Sequence, residues 1–153
     1  MSGDPLAAFI GKWTHPGSSP EPMPDGWRSK VEAALGVRLP DALAASLSRY
    51  GRPAPTIALL HSITENDLYL SDVADFLVPE DMISSTQSGR EMGLAPEFAA
   101  FANDCMGNLF CVRSDDAAIW RFDHDPGDTR QETDSFDAWI EAFNAVPFVD
   151  PDE

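Results

Sequence analysis

Basic residues are scarce in this chain. Its 153 residues carry 10 Lys and Arg against 26 Asp and Glu, a formal net charge of −16. A chain so acidic is repelled by nucleic-acid backbones and anionic membranes, because binding either one requires cations that displace condensed counterions. Cysteine is scarce too. Cys105 and Cys111 are too few for a disulfide framework, and a reducing cytoplasm is the simplest compartment for them. No apolar run approaches the roughly 20 residues that span a bilayer. The opening residues Met1, Ser2, Gly3, Asp4 and Pro5 carry neither the basic nor the apolar part of a secretory signal. The expectation is a soluble, cytoplasmic protein with no membrane and no nucleic-acid partner.

Several enzyme signatures are missing as well. There is neither a GxGxxG turn after a strand nor a GxxxxGK[ST] phosphate loop, and no Gly-x-Ser-x-Gly elbow presents a serine nucleophile. The three histidines, His15, His61 and His124, stand in no HExxH pattern, and the two cysteines are six positions apart rather than in a CxxC. Neither zinc nor an organic cofactor is implied. Cys111 falls in a strand-like segment and reads as a small buried hydrophobe rather than a nucleophile.

Apolar material is plentiful: 43% of residues are hydrophobic, with nine Phe and four Trp, enough for the core of one domain. The acids are unevenly spread. Residues 53–89 hold Glu65, Asp67, Asp72, Asp75, Glu80 and Asp81 and no Lys or Arg, while residues 114–153 hold 12 acids against Arg121 and Arg130. Such an excess suits a solubilising surface, an acidic face that meets a basic protein partner, or an enzyme acting on a cationic substrate.

Asp4 and Pro5, followed by Leu6, Phe9 and Ile10, predict a short N-terminal helix that Gly11 ends. The run with Pro16, Pro20, Pro22 and Pro24 has a linker's composition, so residues 1–26 are set apart from a core domain over 27–147 and an acidic tail over 148–153. Trp27, Val31 and Leu35 share one helical face before Gly36. Leu43, Leu47 and Tyr50 share another before Gly51, and together they make an αα-hairpin. Residues 56–63 have the apolar density of a strand, with residues 68–70 as its partner, and Asp72 caps a helical turn carrying Val73, Phe76 and Leu77. Residues 84–93 read as an exposed loop, the most mobile internal segment.

The last third is patterned more plainly. Residues 98–103, 108–113, 118–123 and 131–134 are strand-length, and the short turns between them favour an antiparallel meander. Ser135 then caps a closing helix with Phe136, Trp139, Ile140 and Phe143 on one face. The fold class is α+β.

One acidic cluster bears on chemistry. Asp123 and Asp125, flanking His124, are placed to chelate a hard cation, but the spacing fails the EF-hand test, since Asp128 and Asp134 stand where Gly and Glu belong. A polar strand end running into a Pro-Gly turn accounts for the same residues. Trp120 is ambiguous, because strict alternation buries only one of Ile119 and Trp120; on a solvent face it is a hot-spot residue type.

In order and spacing, these pieces resemble the SUKH superfamily, which includes relatives of the yeast cell-wall-assembly regulator and many bacterial immunity proteins. Trp27, Val31, Glu32, Leu35, Gly36, Leu39, Pro40, Leu47, Tyr50 and Gly51 are similar to its helical opening, an acidic position followed by Leu-Gly-x-x-Leu-Pro and a helix ending in Tyr. Phe101, Ala102, Asn103 and Asp104 with Gly107, Asn108, Phe110 and Cys111 are similar to its strand–turn–strand segment. Asp123, His124 and Asp125, then Ser135, Phe136 and Trp139, follow its later strand and closing helix. Arg52 and Pro53 depart from the family's second glycine, so a different loop path is expected there.

The resemblance implies a non-catalytic protein that works by binding, and bacterial members typically neutralise a cognate toxin, often a nuclease. A nuclease must be basic to hold its substrate, so an acidic inhibitor covers that surface and gains association rate from steering. The expected partner is therefore a basic toxin domain whose active or substrate site is occluded. The candidate contact residues are Asp115, Asp116, Trp120, Asp123, His124, Asp125 and Asp128. A housekeeping interaction module and a metal-dependent hydrolase on Asp123, His124 and Asp125 are the alternatives.

Overall fold

Five strands pair in chain order into one antiparallel sheet: β1 (Asp75–Phe76), β2 (Phe98–Asn103), β3 (Leu109–Arg113), β4 (Asp116–Asp123) and β5 (Asp128–Thr133). Among the described residues six helices surround it: α1 (Pro5–Trp13), α2 (Trp27–Leu35), α3 (Asp41–Tyr50), α4 (Ile57–Glu65), α5 (Pro79–Glu91) and α6 (Phe136–Asn144). The computed structural model describes residues 4–152. Residues 1–3 of the N-terminal segment and residue 153 of the acidic tail lie outside the described residues. The class is α+β with a meander, as the turn spacing implies.

Local chemistry explains several of the helix boundaries. Asp4 accepts the Leu6 N–H at 2.9 Å with Pro5 in the first turn, and Ser135 accepts the Ala138 N–H at 3.0 Å. Each cap satisfies a donor that a helix leaves free. Gly36 ends α2 in the left-handed region at φ 69°, which costs a residue without a side chain little.

Alternation along the strands gives the sheet two covered faces. On one, α6 lays Trp139 against Phe110 at 4.8 Å, Phe101 at 5.2 Å and its own Phe143 at 5.0 Å, mostly edge-on. On the other, Leu109 and Phe122 are cross-strand neighbours, and α5 lies over them. Gly89 of α5 comes so close that an added Cβ would stand 3.2 Å from Leu109 Cδ1 and from Leu94 Cδ2.

Four sequence expectations are corrected here. Residues 56–63 are not a strand but most of α4, capped by Thr56, which accepts the Ala58 N–H at 3.3 Å. Its buried positions, Ala58, Leu59, Ser62 and Ile63, follow a helical period that the exposed Ile57 and half-buried Leu60 conceal. With no strand there, residues 68–70 have nothing to pair with and run as a loop. Asp72 caps no helix; it accepts the Cys105 N–H at 3.0 Å, and residues 75–76 form the edge strand β1 against β2. Residues 84–93, expected as a mobile loop, are mostly α5. The buried stripe of α5 is Pro79, Met82, Thr86 and Gly89, and its members within 84–93 are Thr86 and Gly89, one hydroxyl-bearing and one without a side chain, so no hydrophobic period shows there. Thr86 Oγ1 accepts the Ala100 N–H at 2.8 Å and donates to the Met82 carbonyl at 2.6 Å, tying helix to sheet.

The first helix runs past Gly11 to Trp13, and Leu6, Phe9 and Trp13 are fully buried. Trp13 Nε1 donates to the Phe143 carbonyl at 3.2 Å, and Lys12 donates to the Asn144 carbonyl at 2.8 Å, a cation where the C-terminal carbonyls of α6 collect negative charge. The proline-rich run is pinned as well, through paired backbone bonds between Glu21 and Arg52 at 2.8 and 3.0 Å. The Arg52-Pro53 departure thus falls in the strip that holds this run. Gly51 leaves room for that pairing, since a Cβ there would sit 2.5 Å from the Glu21 carbonyl oxygen.

Candidate partner-binding surface

The acidic position of the helical opening has a specific task. Glu32 Oε2 accepts the Leu39 N–H at 2.7 Å and the Arg28 Nε–H at 3.1 Å, and Arg28 also pairs with Asp41 at 2.7 Å. One carboxylate therefore closes the turn between α2 and α3. That turn is joined to the β3–β4 turn by the Arg38 N–H, which Ser114 Oγ accepts at 2.8 Å.

β4 carries or borders all seven candidate residues, and it separates them. Asp115 and Asp116 stand where β3 turns into β4, and Asp123, His124, Asp125 and Asp128 stand where β4 turns into β5. The seven steps from Asp116 to Asp123 span about 23 Å at the usual rise of a strand.

At the first turn, Asp115 is exposed, with φ 61°, and Asp116 is occupied. Its Oδ1 accepts the Ala118 N–H at 2.9 Å, while its Oδ2 takes Arg113 Nε at 2.6 Å and Trp120 Nε1 at 3.3 Å. The Ala118 N–H is the largest influence holding the Asp116 carboxyl below the usual range; burial opposes it, and Arg113 and Trp120 add to it. Trp120 is half-buried, with the Arg113 guanidinium 4.4 Å from its ring centroid and Phe98 edge-on at 5.5 Å. The indole packs under an arginine rather than standing free on a solvent face.

A relay of hydrogen bonds shapes the other turn. Asp104 is buried and accepts the Met106 and Asn108 N–H groups, both at 2.9 Å, and Asn108 Nδ2 at 3.1 Å. Asn108 Oδ1 in turn meets His124 Nδ1 at 2.9 Å. Arg121 closes the set between Asp104 at 3.6 Å and Glu132 at 3.0 Å. Asp123 Oδ1 accepts the Asp125 N–H at 3.1 Å, an Asx turn that uses the carboxylate locally. Among the described residues no three His, Cys, Asp or Glu side chains are grouped to hold a metal.

Neither thiol is activated. Burial first, then Asp72, pushes Cys105 up to about 11, and burial pushes Cys111 higher still, so both stay protonated at neutral pH.

Sequence reasoning missed the surface around α4, where Ile57, Leu68 and Tyr69 are exposed. Its one signal was the acid-only stretch 53–89, and reading α4 as a strand hid which side chains face outward. No helix of the described residues is long and apolar enough to cross a membrane.

No curated protein matches the chain. A family profile, however, matches residues 28–142, three quarters of the chain, from the first turn of α2 to the last turn of α6. The match takes in the Glu32 clamp, the whole sheet and Trp139, and leaves out α1. Its members are adaptor and interaction modules rather than enzymes. The chain belongs to the SMI1 / KNR4 family (SUKH-1), a non-catalytic interaction module by that membership.

Proposed function

We propose that the protein is an immunity protein, acting in the cytoplasm, that binds a cognate bacterial toxin domain and occludes its active or substrate site with an acidic surface. The observation that carries this reading is the charge of an interaction module: 26 acids against 10 cations. A domain that cuts nucleic acid must be basic, so such a surface both attracts it and competes with its substrate. The exposed acids of the 123–128 loop steer the encounter, with His124 beside them, and Asp115 adds to the field from the far end of β4. Asp116 and Trp120 serve the contact only indirectly, by holding the first turn in shape.

The test is co-purification with the C-terminal domain of a large secreted protein encoded beside this gene, at low and high salt. The expected result is a 1:1 complex that rescues growth and associates more slowly as salt rises. No complex at either salt would overturn the toxin reading and leave an interaction module with a housekeeping partner.

A further inference from the structure

Six large apolar side chains are exposed among the described residues: Ile57, Leu68, Tyr69, Met92, Met106 and Phe148. Four of them lie on α4 or on segments tied to it. Ile57 opens the helix, and Leu68 and Tyr69 follow its end. Phe148 belongs to the tail fastened to α4, where Ser62 Oγ accepts the Val149 N–H at 2.9 Å and Asn66 donates to the Pro147 carbonyl at 2.9 Å. Met106 adjoins Cys105, which lines a depression of about 180 Å3 together with Ile57, Leu60 and residues 72–74. Ile57 is 65% exposed, Met106 73% and Phe148 53%, while Tyr69 is exposed completely.

Every segment that supplies these side chains is free of Lys and Arg. None occurs in residues 53–89, 91–112 or 131–153, whereas Glu65, Asp67, Asp75, Asp150 and Asp152 are exposed there. Arg121, Arg130 and Lys12 are bordering cations; the two arginines line a groove of about 520 Å3 with Leu68 and Tyr69, Arg121 is already paired with Asp104 and Glu132, and Lys12 is bonded to the Asn144 and Val146 carbonyls. Apolar anchors inside an acidic rim are the arrangement of a hot-spot centre with a charged surround, and Tyr is a favoured anchor. A second copy of this chain would bring the same acidic rim against itself, which charge repulsion opposes.

We propose that the face formed by α4, the 66–74 loop, the 104–108 turn and the tail at 147–149 docks a basic protein surface that carries apolar side chains between its cations. The inference builds on the binding reading above but not on the partner being a toxin. It also ranks the acidic turns. The 123–128 loop lies at the same end of the sheet as Met106, joined to that turn through Asn108 and His124, and the Asp115 turn lies at the opposite end.

The test uses two labelled peptides, an amphipathic helix of Leu and Lys and a control with Lys alone, titrated into the full chain at low salt. The expected result is at least tenfold tighter binding of the Leu/Lys peptide, with that advantage abolished by Ile57→Ser with Tyr69→Ser and kept in Asp115→Asn. Circular dichroism confirms that each variant folds. Equal binding of the two peptides, or an advantage the double variant keeps, overturns the proposal. So does sedimentation that shows a dimer broken by the same variants, which assigns the face to a second copy. With the toxin domain as probe, binding indifferent to Ile57 and Tyr69 refutes this face and leaves the toxin reading standing. A peptide advantage without toxin binding does the reverse.

Discussion

Asn108 and His124 are joined side chain to side chain at 2.9 Å, across the turns that end two different hairpins. Because Asn108 Nδ2 donates to the Asp104 carboxylate, its Oδ1 is the atom that faces the ring, and His124 Nδ1 is therefore the donor. The pair makes one rigid end of the sheet from two turns. Asn108→Ala strips Asp104 of a donor and leaves a buried carboxylate less satisfied, at a cost of about 1–3 kcal/mol. Urea unfolding at neutral pH checks it; a midpoint unchanged from wild type would show that the relay holds nothing.

Glu32 offers a second test. Removing its carboxylate leaves the Leu39 N–H without an acceptor and frees Arg28. Glu32→Ala is expected to destabilise by roughly 1.5–3 kcal/mol, as for a charge-assisted hydrogen bond, and Glu32→Gln by less, since an amide oxygen still accepts. Thermal melts of the pair separate acceptor loss from charge loss.

Asp116 has a carboxyl held below its ordinary value, first by the Ala118 N–H and against the effect of burial. A group depressed in the folded state lends stability that is fully present above its unfolded value, about 3.9, and is lost as pH falls through the folded value. Asp116→Asn removes that titration. Stability measured from pH 5 to pH 3 is expected to fall less steeply in the variant than in the wild type, with no difference in slope between pH 6 and 8.

Trp13 lies outside the family match yet is fully buried and bonded to the Phe143 carbonyl. Trp13→Ala is expected to cost about 3–5 kcal/mol, as for an aromatic core side chain. A chain started at residue 27 loses Leu6, Phe9 and Trp13 together and is expected to expose the aromatic core, read as increased binding of an apolar dye.

Asp123→Lys with Asp125→Lys reverses the charge at the end of the sheet nearest α4. Association with the proposed toxin partner is expected to slow by about tenfold at low salt, with the difference shrinking as salt rises, while the melting temperature stays within a few degrees. Stopped-flow mixing measures the rate, and an unchanged rate removes these two residues from the encounter.

What the sequence determined by itself was whatever rests on neighbours along the chain. Asp4 and Ser135 cap their helices, Gly36 and Gly51 end theirs, and Phe136, Trp139, Ile140 and Phe143 repeat at the helical period and are buried. The meander was readable because short turns leave antiparallel neighbours as the simple pairing. The motif residues identified the family, since Glu32 and the Leu-Gly-x-x-Leu-Pro turn act within one αα-hairpin.

Tertiary structure decided the rest. The C-terminal half of the inner stripe of α5 is Thr86 and Gly89 because a sheet face with Leu109 and a bulged β2 needs a hydroxyl and closeness there, not bulk. α4 carries an exposed Ile57 beside buried Leu59, so its apolar run cannot be phased until the side that faces the core is known. The seven candidates are close in sequence, but six lie at the two ends of one strand with Trp120 between them, since an extended chain moves about 3.3 Å per residue. Segments far apart in sequence that carry exposed apolar side chains, α4 with Ile57 and the tail with Phe148, are joined only when the chain is folded, as is α4 with Cys105, the neighbour of Met106. Local spacing writes elements and caps into a sequence; a surface is made by contacts between segments that no local spacing records.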